Sequence, residues 1–176
     1  MAITWKTDPA HSEIQFKVRH LMVTNVTGYF KKFDLVVETD TDDFNTAKKI
    51  EFTADIDSIE TNNEQRDTHL KSDDFFNAEK FKQLKFVSKD YKASRDEATL
   101  NGDLTIRDIT KPIKLNVEYG GTVVDSYGQT KAGFTITGKI NRKDYNLMWD
   151  AVTEAGQVVA SNEIRIVCEI QLVKQA

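Results

Sequence analysis

Cysteine, proline and histidine are all scarce in this sequence: one, two and three residues among 176. The lone Cys168 cannot form an intrachain disulfide, so the fold does not depend on an oxidising compartment. A free cysteine of this kind is expected to be a buried, inert thiol. No stretch approaches the roughly 18 apolar residues of a membrane span, so stable membrane insertion is not expected. The N-terminal segment, MAITWKTDPAHS, has no apolar signal region, which points to the cytoplasm. A chain trimmed of an export signal would read the same, and would place it in the periplasm. There is no basic block either. Lys and Arg number 24 against 28 Asp and Glu, giving a net charge of -4 with both signs interspersed. That disfavours a nucleic-acid partner, which needs a concentrated positive footprint to displace counterions from phosphates.

The strong catalytic signatures are also missing. There is no G-x-S-x-G elbow, no P-loop, no G-x-G-x-x-G and no H-E-x-x-H, so neither a catalytic residue set nor a cofactor is expected. Asp40, Asp42 and Glu51 fall at the first, third and twelfth positions of an EF-hand frame. Phe44 takes a ligand position there and Asn45 replaces the turn glycine, which excludes a calcium loop. The three histidines, His11, His20 and His69, match no zinc spacing. His11 and His20, nine residues apart, would lie on opposite faces of one unbroken strand, so no metal is expected. The adjacent Asp73 and Asp74 read as a helix-start feature, since neighbouring carboxylates on a helix do not converge on one substrate atom.

What the sequence does contain is period-two alternation, the mark of half-buried strands. Ile14, Phe16 and Val18 alternate with Glu13, Gln15, Lys17 and Arg19. The next apolar set ends on even numbers at Phe30 and resumes on odd ones at Phe33, Leu35 and Val37. Such a parity change at Lys31-Lys32 predicts a β-bulge. Ile50, Phe52, Ala54 and Ile56 follow, then Leu84 and Phe86, then Leu100, Leu104 and Ile106. Pro112 reads as a strand opener, because it would break a central ladder, and Ile113, Leu115, Val117 and Tyr119 come after it. Phe134, Ile136 and Ile140 make the seventh set, and Ile164, Ile166, Cys168, Ile170 and Leu172 the eighth. Gly120-Gly121 and Ser126-Tyr127-Gly128 read as turn signals. A single helical interruption is predicted from about Asn62 to Phe81, with Asn62 and Gln65 as a variant capping box.

The class is therefore all-β, about eight antiparallel strands with one short helical insertion. With no linker or repeat, residues 1–176 are expected to form one domain. An up-and-down barrel is the simplest arrangement because closure removes exposed edges, with a two-layer sandwich as the alternative. The inward parity selects Phe16, Val18, Phe30, Phe52, Ile56, Leu104, Ile106, Leu115, Phe134 and Ile166 as candidate wall residues. His20 continues the apolar face of its strand, as a hydrogen-bonded interior histidine or a polar contact for a ligand. Arg66 and His69 share one helical face, where they either hold an anionic head group or, with Asp67, tie the helix to a strand. Tyr145, Trp149, Phe75 and Phe76 read as core or rim packing first and ligand contacts second, with Tyr145 and Trp149 the candidate ligand contacts near the barrel mouth.

The order of short motifs resembles the YceI-like family, often called polyisoprenoid-binding proteins. The motifs are Asp8-Pro9-Ala10-His11-Ser12, Arg19-His20-Leu21, Val26-Thr27-Gly28-Tyr29-Phe30, Ser58-Ile59-Glu60-Thr61, Arg66-Asp67-Thr68-His69-Leu70, Asp74-Phe75-Phe76, Gly102-Asp103-Leu104-Thr105-Ile106, Thr110-Lys111-Pro112 and Ile140-Asn141-Arg142. The resemblance implies a lipocalin-like barrel that holds a long isoprenoid or other amphipathic, fatty-acyl-type lipid in a central tunnel, commonly as a homodimer. Lys82 departs from the family pattern where a proline is common, and Asp108 and Asn146 where glycines are. Asn and Asp tolerate positive φ, so both turns can survive the change. Two other classes of function fit the residues. One is an enzyme using His20 or His69 as a general base on bound lipid, which needs a second titratable group within reach. The other is a solid-cored module acting through its surface.

Overall fold

A computed structural model describes residues 2–150 and 160–176. Its strands are β1 (Ile3–Thr7), β2 (Glu13–His20), β3 (Thr24–Phe30), β4 (Phe33–Thr39), β5 (Ala47–Asp55), β6 (Ile59–Glu60), β7 (Gln83–Ser94), β8 (Glu97–Ile106), β9 (Ile109–Val124), β10 (Thr130–Asn141) and β11 (Ala160–Lys174). One antiparallel sheet joins all eleven, and β1 pairs with both β4 and β11. The ring β1-β4-β5-β7-β8-β9-β10-β11 thus closes on itself as an eight-stranded barrel. Closure leaves no edge along this ring, and it decides against the sandwich.

The eleven strands reduce to about eight because three barrel positions are broken strands. β1 and β2 lie end to end beside β11, β4 and β3 lie beside them, and β5 and β6 make the third position. The break between β1 and β2 is the Asp8–Ser12 corner. The Asp8 carboxylate caps it by accepting from the Ala10 N–H at 3.1 Å and pairs with His11 at 2.8 Å. The hydrogen bond from His11 holds the Asp8 carboxyl below the ordinary carboxylate range, against the opposing effect of burial. Ser12 Oγ accepts from the Gln171 N–H at 2.9 Å, and the Asp8 N–H donates to the Gln171 carbonyl at 2.8 Å. Backbone groups of β11 that lose their strand partner at the corner are satisfied in this way. The first strand, β1, is absent from the sequence-based set, because Trp5 is the one residue in it that is fully buried; its indole donates to Thr39 Oγ1 at 3.0 Å.

The parity change at Lys31-Lys32 separates β3 from β4 as expected. Two further breaks in parity occur inside long strands. In β7 the register shifts between Ser88 and Asp90, which turns Tyr91 inward opposite Leu100. In β9 Gly120 is the extra residue, since Gly121 pairs with Gly133 and Tyr119 with Phe134. The glycine pair is therefore a bulge and not a turn, and Gly121 supplies the positive φ of 118° that it requires. Pro112 sits within β9, not at its start. β10 pairs with β9 only from Asn116 onward, so at Pro112 the strand has a ladder on the β8 side alone. The Ser126-Tyr127-Gly128 turn is as read, with the Asp125 carboxylate accepting from the N–H groups of Tyr127 and Gln129 at 2.9 Å each.

The helix α1 (Glu64–Lys71) is shorter than expected and starts one residue later. Asn62 takes φ 63°, and Asn63 is the cap, accepting from the Arg66 N–H at 3.0 Å. That moves Gln65 out of the capping-box position. Residues 72–82 form turns instead of more helix. Asp73 and Asp74 belong to those turns and start no helix. Arg107, on the β8–β9 turn, donates to the carbonyls of Asp73 (2.9 Å) and Phe75 (2.6 Å) and to the Asp73 carboxylate (2.8 Å). This turn puts its positive φ on Arg107 (55°) and not on Asp108, whereas Asn146 does adopt the left-handed conformation at 62°. Helix and turns together cover the side of the barrel where β6 pairs with β3 but not with β7.

Candidate ligand cavity

The inward side chains do not fill the barrel. They enclose a cavity of about 610 Å³. Phe16, Val18, Phe30, Phe52, Leu104, Ile106, Leu115, Phe134 and Ile166 all lie on its wall, contributed by β2, β3, β5, β8, β9, β10 and β11. Ile56 does not. β5 ends at Asp55, and Ile56 opens a 3-10 turn that carries its side chain into the core, 1% exposed, off the cavity. Strand parity cannot be extended past the end of a strand.

The floor is aromatic. Phe44, on the turn between β4 and β5, lies 4.6 Å from Trp5 and 4.8 Å from Phe134 between ring centroids, and Tyr119 is 5.4 Å from Phe134. Tyr91 reaches the same end. Its phenol is held above the ordinary tyrosine range by burial first, then by Asp43 and Tyr119. Neither Phe44 nor Tyr91 was among the candidate residues. Phe44 stands in a polar loop with no periodicity, and Tyr91 lies beyond the β7 bulge.

The mouth is at the α1 end. His20, Arg66, His69 and Trp149 line it, together with Arg19, Asn63 and Gln65. His20 is exposed at the end of β2, so the expectation of an interior histidine gives way to one at the rim. His69 Nε2 pairs with the Asp74 carboxylate at 2.8 Å, and its ring stands edge-on to Trp149 at 4.6 Å and to Phe75 at 5.2 Å. Arg66 ties the helix to the strand end: Nε donates to Thr61 Oγ1 at 2.8 Å and a terminal nitrogen donates to the Thr61 carbonyl. Asp67 completes the tie by accepting from the Thr61 N–H at 2.8 Å. The structural role considered for Arg66 and Asp67 is thus present, at a position that also faces the cavity.

Tyr145 is not at the mouth. It is 1% exposed in the 3-10 turn Arg142–Tyr145, packed under the rim, and burial with Asp144 and Asp103 nearby pushes its phenol up to about 12. The rim loop is held instead by Arg142, 3% exposed, which the sequence shows only as the end of a motif. Its Nε donates to the Ser161 carbonyl at 3.0 Å. Its terminal nitrogens donate to the carbonyls of Leu147 (2.7 Å) and Trp149 (2.8 Å) and to the Asp150 carboxylate (2.5 Å). Lys143 bonds the other oxygen of that carboxylate, which lies below the ordinary carboxylate range chiefly because of Lys143 and then Arg142, against burial.

Cys168 is buried on the cavity wall, and desolvation pushes its thiol from 9.0 up to about 12. A folded-state value above the unfolded one means the fold holds the neutral thiol. The corresponding stability is complete below about 9 and is lost as pH rises toward about 12. Urea denaturation across that window is expected to show a falling midpoint, with a shallower fall in Cys168→Val. Equal slopes in the two proteins would show that the thiol carries none of the dependence.

A closed eight-stranded antiparallel barrel with an apolar cavity inside it belongs to the lipocalin-like class of β-barrels. The YceI-like domain model matches residues 5–172, and the chain belongs to that family. It is 40% identical over 161 residues, 90% of each chain, to a UPF0312 protein of Staphylococcus aureus. Its fold matches the crystal structure of a Campylobacter jejuni YCEI protein with TM-score 0.77, 33% identity and 96% of each chain covered. A polyisoprenoid binding domain from Saccharophagus degradans shares the fold at TM-score 0.67 and 15% identity, covering 97% of this chain and 98% of that one.

Proposed function

We propose that this protein is a non-enzymatic carrier or sequestering protein for a long-chain isoprenoid or other amphipathic lipid held in the barrel cavity. The observation that carries the reading is the cavity itself: about 610 Å³, walled by aliphatic and aromatic side chains, with polar groups gathered at its mouth. Burial of each ligand methylene contributes about 0.8 kcal/mol before association costs, so an apolar chain gains affinity by length alone. The rim groups Arg19, His20, Asn63 and Gln65 then suit a polar head group left at the water interface. The polyisoprenoid ligand class of the Saccharophagus degradans domain supports the same assignment.

A lipid-acting enzyme is less well supported. His69 already has a partner in Asp74, but the pair stands on the rim with the His69 ring packed between Phe75 and Trp149. A chain buried in the apolar barrel would present its tail, not its reactive head, to most of the wall. The cavity argues equally against a solid-cored surface module.

Native mass spectrometry of the freshly purified protein, followed by organic extraction, tests the proposal. A stoichiometric lipid released on denaturation is expected, as is uptake of geranylgeraniol by protein stripped of it. Protein that is empty on purification and takes up neither prenyl nor fatty-acyl probes would overturn the carrier reading.

A further inference from the structure

We infer that Phe44 is the end stop of the cavity and sets the length of chain the barrel accepts, at roughly 20 carbons if a methylene occupies about the volume of a water molecule in liquid. This rests on the carrier reading. The floor of the cavity is thin at one place. Phe44 and Tyr91 line its closed end, and the same two residues line a second pocket of about 160 Å³ on the far side. The other walls of that pocket include Asn45, Arg95, Asp96 and Glu97, all exposed, so it lies at the outer surface of the barrel. Between cavity and surface there is thus a partition to which the Phe44 ring belongs.

The ring is fixed in place from both sides. Trp5 and Phe134 hold it within 5 Å (4.6 and 4.8 Å between centroids), and Trp5 is itself anchored on Thr39. Its backbone belongs to a turn that hydrogen-bonds to itself. Asp43 accepts from the Asn45 N–H at 2.9 Å, Thr46 Oγ1 donates to the Asp43 carbonyl at 2.6 Å, and the N–H groups of Asp40 and Thr41 donate to Thr46 Oγ1 at 3.1 Å each. A side chain so held acts as a stop and not as a swinging flap. Truncation to alanine removes the ring from the partition and joins the two spaces. By the same water-sized measure, the outer pocket of about 160 Å³ adds room for about five carbons, and the vacated ring adds about three more.

The test uses the 176-residue protein stripped of lipid and titrated with farnesol, geranylgeraniol and hexaprenol, prenyl alcohols of increasing length. Wild-type affinity is expected to rise from farnesol to geranylgeraniol and then level off, because the extra units of hexaprenol find no apolar room. In Phe44→Ala the rise continues, but Asp43, Asn45, Arg95, Asp96 and Glu97 make much of the outer pocket polar, so hexaprenol gains only the burial of about two methylenes and binds about tenfold more tightly than geranylgeraniol. Phe44→Leu, which keeps more of the packing, should fall between them if the alanine variant folds poorly. The wild-type plateau needs no variant at all. Affinity that climbs through hexaprenol in the wild type overturns the end stop while leaving the carrier reading intact. Wild-type protein that binds none of the three, and no fatty alcohol of the same lengths, overturns the carrier reading, and the end stop falls with it.

Discussion

Arg142→Met is expected to lower the free energy of unfolding by about 3 kcal/mol, read as a reduced urea midpoint with an unchanged slope. Methionine fills much of the same space but donates nothing. The substitution would strand the carbonyl oxygens of Leu147, Trp149 and Ser161 and leave the Asp150 carboxylate to Lys143 alone. Leu147 is 4% exposed, so water cannot take over as the donor to its carbonyl without opening the rim. Arg142→Lys should recover little, because an ammonium on a flexible stem cannot meet acceptors spread around a planar fork. Asp150→Asn should cost far less than Arg142→Met, since Asp150 is 31% exposed and the three carbonyl contacts survive. The ranking identifies what Arg142 does. It fastens the loop bearing Trp149 to the first residues of β11, so it supports the mouth from beneath. A loss below about 1 kcal/mol would show that water satisfies those carbonyls and that the rim is held by other contacts.

The barrel could be read from the sequence wherever a strand kept a strict alternation over its whole length. β8 is the plainest case. Ala98, Leu100, Leu104 and Ile106 are buried while Thr99, Asn101, Asp103 and Thr105 between them are not. Alternation failed where the backbone absorbs an extra residue. The β7 bulge hid Tyr91, and the Gly120-Gly121 bulge looked like a turn because glycine serves both purposes. It also failed where a parity was carried past the end of its strand, as at Ile56. The mouth was legible in part for a different reason: Arg66, His69 and Trp149 were singled out for residue type and neighbouring motif. What no local pattern could show is that Phe44 closes the far end, or that Arg142 gathers acceptors from both sides of the rim loop. Both are products of closure, which brings together segments distant in the chain.

A tryptophan placed in the middle of the cavity separates binding inside the barrel from binding anywhere else. Ile136 lies on β10, opposite Cys168 of β11 and Val117 of β9, and its side chain lines the cavity. In Ile136→Trp the larger ring would project into the open space and not into packed core. Geranylgeraniol affinity is expected to fall at least about 100-fold, equivalent to about 2.7 kcal/mol, because a slender chain can no longer pass the ring to reach the floor. The melting temperature should hold or rise, since the indole gains contacts with a wall that had none on that side. Thr137, the next residue along β10, is exposed on the opposite face, so Thr137→Trp should bind as the wild type does. Undiminished affinity in a correctly folded Ile136→Trp protein would place the lipid outside the barrel. Equal losses in both variants would place the effect in β10 as a whole. A loss confined to Ile136→Trp would leave the cavity as the site, with the chain extending past the level of Cys168 toward Phe44.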